Sequence, residues 1–403
     1  MRKILLLSAL FFSVMLTSCS SSNEQAADGV VEIELFSYKG ENINILRDII
    51  EDFEEEYPEI SVDFQSPPDP ITVLRSRLVR DDVPDVMSLG GDATYGEFAD
   101  AGILADLTDE EFMSDIQPSY IEMLRPLVGE NITNDYGVPY AANADGVIYN
   151  KRLFNELDME VPRTWSEFIE LLDTAQDQGV KPIEFALNDA WTGLPMWNAL
   201  ASILVDDDFH IEKERGEASF QNDYREVAEK MLQLLEYGEG DIFGSDYDTG
   251  NINFINDGAL FYFQINSAIP DMLNYDPHAE LGIFPLPATD DPEQNSLTSG
   301  VDMLFAMSEE TDHKEEALTF INYLMRPEVN QKYVDDQITP STLEDVLQES
   351  EIFDDLQPYF IEDDLTSFPD HYYPAALGEE NLIQDFLINK DIDSFLESMD
   401  EQW

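Results

Sequence analysis

Strands alternating with helices predict an α/β protein with mostly parallel sheets, and three stretches near the start of the 403-residue chain carry that prediction. Val31-Glu32-Ile33-Glu34-Leu35 alternates apolar and acidic side chains, the period of a strand with one buried face. Ile45, Leu46, Ile49, Ile50, Phe53 and Tyr57 then recur at helical spacing, and Pro58 closes the run. Ile60, Val62 and Phe64 alternate again, so the chain opens strand, helix, strand.

The later elements follow the same logic. Val86 to Leu89 is an apolar run of strand length that enters Gly90-Gly91-Asp92, and Gly146 to Tyr149 is a further strand. Thr164-Trp165-Ser166-Glu167 has the form of a capping box, and Trp165, Phe168, Ile169, Leu172 and Ala175 mark the inward face of the helix it starts. Amphipathic helices are predicted over Tyr224 to Tyr237 and Glu315 to Met325. Sheets built this way bind ligands at the carboxyl ends of their strands.

The 86 Asp and Glu against 20 Lys and Arg give a formal charge of −66. Hydrophobic residues make up 43% of the chain, with 24 Phe and 17 Tyr, so a packed core is available and the charge does not signal disorder. The acids are spread along the whole chain. They predict a solvated surface that repels nucleic acid and anionic lipid headgroups. Such a surface serves adaptation to high salt or high external pH, or capture of a cationic ligand; the even spread favours adaptation. Asp206-Asp207-Asp208 and Glu54-Glu55-Glu56 lack the spaced oxygen ligands and the glycine of a calcium loop.

Chemistry-bearing motifs are absent from the sequence. There is no GxSxG elbow, HExxH helix, Walker loop, GxGxxG or CxxC pair, and His210, His278, His313 and His371 do not stand at ligand-pair spacing. No cofactor or metal is expected. Paired carboxylates, as in glycoside hydrolysis, arise by chance among so many acids and decide nothing.

Met1-Arg2-Lys3 followed by the apolar run from Ile4 to Leu16 reads as an export signal, too short to span a bilayer as a stop-transfer helix. Leu16-Thr17-Ser18-Cys19 resembles the lipobox of bacterial lipoproteins. That likeness implies removal of residues 1–18, a diacylglycerol-modified Cys19 and residues 19–29 as a polar tether outside the cytoplasm. Cys19 is the sole cysteine, so no disulfide forms and stability rests on packing in two domains.

Several further segments, in order, resemble the family 1 extracellular solute-binding proteins of ABC transporters, the group that includes maltodextrin-binding proteins. They are Tyr57 to Val62, Val83 to Met87, Gly91-Asp92, Phe98 to Leu107, Tyr136 to Tyr140, Val147 to Lys151, Val161 to Trp165 with Phe168, Asn256 to Leu260, and Ala317 to Gln331. The resemblance implies a periplasmic-binding-protein-like fold: two α/β lobes with a hinge and an interlobe cleft. Crossings near Asn143, Phe284 and Asp336 give an N-terminal lobe of 30–142 plus 285–336 and a C-terminal lobe of 143–284 plus 337–403. It also implies a monomer, anchored to the outer face of the cell membrane, that binds a sugar and passes it to permease subunits.

A neutral sugar needs flat aromatic platforms and fixed polar groups around its edge. By the resemblance Trp191 is a cleft aromatic, Asp92 a cleft carboxylate and Asn143 a polar cleft residue, with Asp145 sharing that role or serving the hinge. Tyr38, Lys39 and Glu41 fall at the cleft edge in the loop after the first strand. Trp197 is divided between cleft and core. After the Gly258 to Phe263 strand the family commonly has Gly-Ser-Trp; here Asn266 takes the tryptophan's place, which suggests a smaller or more polar ligand, or stacking supplied elsewhere. Asp302 and Tyr372 or Tyr373 are weaker candidates. The alternatives are a binding protein for a cationic solute and a surface glycosidase.

Overall fold

The computed structural model describes residues 29–129, 132–374 and 376–403; the export signal and Cys19 lie outside the described residues. Strands β1 (Val31–Ser37), β2 (Ile60–Gln65), β3 (Val86–Leu89), β4 (Val138–Asn150), β5 (Ile183–Glu184), β6 (Phe261–Ile265), β7 (Leu281–Phe284), β8 (Leu297–Met307) and β9 (Leu365–Thr366) alternate with helices, as an α/β chain should. They join in the order β2-β1-β3-β8-β4-β6-β5, with β7 on β4 and β9 on β8.

The opening strand, helix and strand form where the period of the sequence places them. Helix Ile43–Glu56 turns Ile45, Leu46, Ile49, Ile50 and Phe53 inward. Phe53 is fully buried, stacked on Tyr57 at 4.9 Å and edge-on to Phe320 at 4.9 Å. Burial of one such ring contributes about 1.5–3 kcal/mol. The expected cap forms with a shifted return bond: Thr164 Oγ1 accepts from the Glu167 N–H at 3.2 Å, and the Glu167 carboxylate reaches one residue past the cap to the Arg163 N–H at 2.8 Å.

Mostly parallel sheets were expected, and the observed arrangement is mixed. β1 is parallel to β2 and β3, β5 to β6 and β8 to β9, whereas β3–β8, β4–β8, β4–β6 and β4–β7 are antiparallel. The reason lies in two long strands that pass through both lobes. The first half of β4 pairs with β8 and the second half with β6 and β7. The expected Gly146 to Tyr149 strand is only the far end of β4, and the strand expected from Gly258 starts at Phe261 after a kink in which Asp257 has φ +62°.

Apolar side chains segregate along this path. One core runs from Ile33 to Ala142 and from Val301 to Val346; two others take the residues from Ala144 to Leu297 and from Phe353 onward. Leu286 and Ala288 pack in the second lobe, and Leu343 and Val346 in the first. The chain therefore changes core between Leu297 and Val301 rather than at Phe284, whereas beyond Val334 it touches both sides: Ile338 packs against the third core, Leu343 and Val346 in the first.

The crossing is laced by hydrogen bonds. Asn266 Oδ1 accepts from the Ala144 N–H at 2.7 Å, and its own N–H donates to the Ala144 C=O at 2.9 Å. Thr339 Oγ1 receives the Asn266 amide at 3.2 Å and donates to the Ala142 C=O at 2.7 Å. Ser299 Oγ donates to the Asn143 C=O at 2.6 Å.

Candidate functional site

Asp302 is the hub of the first-lobe site. It stands on β8, two places beyond Gly300, which pairs with Asn143 of β4. Asn143 Nδ2 donates to Asp302 Oδ1 at 2.9 Å, and Lys39 Nζ meets Asp302 Oδ2 at 2.5 Å. Tyr38, just past the end of β1, donates its phenol proton to the Asp302 C=O. The Lys39 and Asp302 side chains are only 14% and 12% exposed, so this pair is well shielded from solvent. Burial pulls the Lys39 ammonium down, but the Asp302 and Glu41 carboxylates together outweigh it and the net pKa is raised. Burial, then Asp302, pushes the Tyr38 phenol well above its usual value. Glu41 sits at the exposed rim, 3.4 Å from Lys39.

Asp92 joins this cluster through two glycines. Gly91 donates its N–H to the Val301 C=O at 3.0 Å, and a Cβ there would lie 2.7 Å from Val301 Cβ, so only glycine allows β3 to end so close to β8. Asp92 then caps helix Ala93–Asp100, Oδ1 accepting from the Thr94 N–H at 2.7 Å. A Cβ on Gly90 would fall 3.0 Å from Asp92 Oδ2 and 3.8 Å from the Tyr38 hydroxyl, which places both beside the same gap.

The second lobe brings an aromatic platform. Trp191 is 41% exposed on the loop that follows β5, and its ring lies 5.0 Å from that of Tyr247. The loop is fastened from beneath: Thr192 Oγ1 donates to the Ala186 C=O at 2.8 Å, and Gln384 Nε2 donates to the Leu187 C=O at 2.7 Å. Asp189 Oδ2 accepts the Tyr247 N–H at 2.9 Å and so ties the two aromatics together. Phe368 and His371 lie over Gly300, where a Cβ would meet their rings at 2.6 and 3.1 Å. Tyr247, Phe368 and His371 were not singled out from sequence. Tyr247 starts a short helix, and the other two come from a late segment folded back over the crossing, so no local pattern marks them.

Other expected site residues lie inside the protein. Trp197 is fully buried in helix Leu194–Leu204, stacked on Tyr224 at 4.9 Å, with Nε1 donating to the Tyr373 hydroxyl at 3.3 Å. Tyr373 is 4% exposed and gives its proton to Tyr224 at 2.7 Å. Both belong to the second-lobe core, because the helix begins at Leu194 and turns Trp197 inward. Asn266 is 1% exposed and its amide is spent on the crossing strands. Asp145 is also 1% exposed, and no other side chain among the described residues donates to its carboxyl group. Burial, opposed by the Gly146 N–H and aided by Asp370, raises its pKa well above the carboxylate range.

A cavity of about 360 Å³ opens along the seam between the lobes. Helix Pro118–Val128 of the first lobe forms one wall; the end of helix Leu194–Leu204 and the segment from Leu365 to Tyr373 form the other. The Tyr372 hydroxyl crosses the seam to the Met123 C=O at 3.1 Å. Of the expected site residues only Tyr372 and Tyr373 border this space.

Residues 39–331 match the profile of a family described as bacterial extracellular solute-binding protein. The multiple sugar-binding protein of Streptococcus mutans is 30% identical over 350 residues, which are 84% of this chain and 81% of that protein. The apo form of RafE from Streptococcus pneumoniae superposes with a TM-score of 0.83 at 26% identity, covering 94% of this chain and 98% of that one. RafE in complex with raffinose gives 0.77 at 26% identity, over 93% and 98% of the two chains.

Proposed function

The chain belongs to the bacterial extracellular solute-binding proteins, and on that premise we propose that it is the carbohydrate-binding component of an ABC importer. The hub around Asp302 carries this reading. Asn143 and Lys39 offer fixed donors, Asp302 and Asp92 fixed acceptors, and Trp191 an exposed flat ring. A sugar has apolar C–H faces and hydroxyls that both donate and accept, so it needs that combination. A cationic solute would meet the Lys39 ammonium at the same place, which disfavours that alternative. The multiple sugar-binding relative and the raffinose complex of RafE support the same ligand class.

In this reading the lobes close on the sugar about the laced crossing and alter none of its bonds. Cys19 carries a lipid that holds the monomer to the outer face of the membrane, and residues 20–29 act as the tether. Permease subunits receive the solute. The acidic surface is an adaptation to salt or alkaline surroundings, since the acids are dispersed and not focused on the hub.

Calorimetry on the purified protein with raffinose, stachyose and spermidine tests the proposal. Heats of binding from a neutral oligosaccharide and none from spermidine are expected. Saturable binding of spermidine alone, or release of a shorter sugar during incubation, would overturn it.

A further inference from the structure

We propose that the segment from Phe368 to Tyr373 is a proton-held clasp across the crossing, seated while Asp145 is a neutral acid and released when that acid ionises. The segment is fastened to both lobes. Phe368 and His371 lie over Gly300 of β8. The Asp370 N–H donates to Asn198 Oδ1 of helix Leu194–Leu204 at 3.4 Å. Tyr372 reaches the first lobe through the Met123 C=O at 3.1 Å, and Tyr373 is rooted in the second on the Tyr224 hydroxyl at 2.7 Å. Such a segment holds the lobes in one relation for as long as it stays seated.

Asp145, on β4, stands within reach of the Asp370 charge. Its carboxyl group is buried with no donor besides the Gly146 N–H, and Asp370 Oδ1 is likewise buried without a partner among the described residues. Asp370 is the charged group that bears on Asp145, and no Lys or Arg offsets it. The other titratable groups around Asp370 are acids too: the Tyr224 and Tyr373 phenols and the Glu379 carboxyl group, which opens helix Glu379–Asn389. His371 is the one basic residue of the clasp, and its ring stacks on Phe368 at 5.0 Å. Burial opposes ionisation of Asp145 most, and Asp370 adds to it. Once its proton leaves to solvent, Asp145 is a buried charge beside a second carboxylate, and lifting the clasp admits water to both.

The direction follows from linkage. With the clasp lifted, Asp145 has an ordinary carboxylate pKa near ~3.9; with it seated, the value is raised. The clasp is therefore firmest below the ordinary value and loosens as pH rises toward the seated one.

Hydrogen exchange measured from about pH 4 to about pH 9 tests this. The His371 and Tyr373 amides, bonded to the Phe368 and Asp370 carbonyls at 3.2 and 3.1 Å, report the clasp. Amides of helix Ile43–Glu56 are the reference that cancels the intrinsic effect of pH. The clasp-to-helix protection ratio should fall about 10-fold per pH unit, the slope of one proton, and then level off. Asp145→Asn should make the ratio flat. Asp370→Asn leaves Asp145 ionisable but less opposed, so its fall should be smaller; it serves if the first variant does not fold. Infrared difference spectra at neutral pH should show a protonated carboxyl band in the wild type that Asp145→Asn lacks. A wild-type ratio that ignores pH, a full fall kept in either variant, or no such band would overturn the inference. So would a fall that vanishes in His371→Gln, because the titrating group would then be the imidazole.

Discussion

Asp145 and Asp302 stand on the two crossing strands in different surroundings. Asp302 shares its oxygens between Lys39 and Asn143. Asp145 is buried with no donor besides the neighbouring Gly146 N–H among the described residues, and burial outweighs that donor and lifts its pKa well above the value of about 3.9 in an unfolded chain. A raised folded value means that the folded state holds the proton longer. Its stabilising share is complete below the unfolded pKa and is lost as pH rises toward the folded one. Asp145→Asn removes the ionisable group while keeping its shape. Thermal melts should therefore place the variant above the wild type at pH 7, with the difference shrinking as pH falls toward 4. A variant less stable at pH 7, or a difference independent of pH, would show that the carboxylate is matched by a partner. The two tryptophans mark where sequence stopped short at this scale. Trp191 and Trp197 share one irregular stretch, and only the helix start at Leu194 exposes the first ring and buries the second.

Among the elements, those with a clean period were legible and those with buried surroundings were not. Alternation in β1 and the helical spacing of Ile43–Glu56 identify themselves, because one face of each is wet. β4 and β8 are buried along nearly their whole length, so no alternation survives, and their extent across both lobes was missed. Asn266 shows the consequence for function. Its position matches a sugar-stacking tryptophan of the family, but here the side chain closes the crossing between Ala144 and Thr339. Asn266→Ala leaves the Ala144 N–H buried without this acceptor, and the cost should be about 1–3 kcal/mol in urea unfolding. Sugar affinity should change only as far as the crossing loosens. Unchanged stability with abolished sugar binding would instead make Asn266 a ligand residue.

At the level of the whole molecule, one core on the near side of a laced crossing and two beyond it are the layout of a clamp. The cluster around Asp302 belongs to the first lobe and the exposed Trp191 to the second, and in the proposed function a solute engages both. Ligand can shift such an equilibrium only by binding the closed form more tightly than the open one. Small-angle X-ray scattering of the protein titrated with raffinose measures that shift directly. The account predicts that the radius of gyration falls to a plateau at saturation and that the sugar is recovered intact. A radius unchanged while calorimetry shows the sugar bound, or a sugar recovered in pieces, would contradict it.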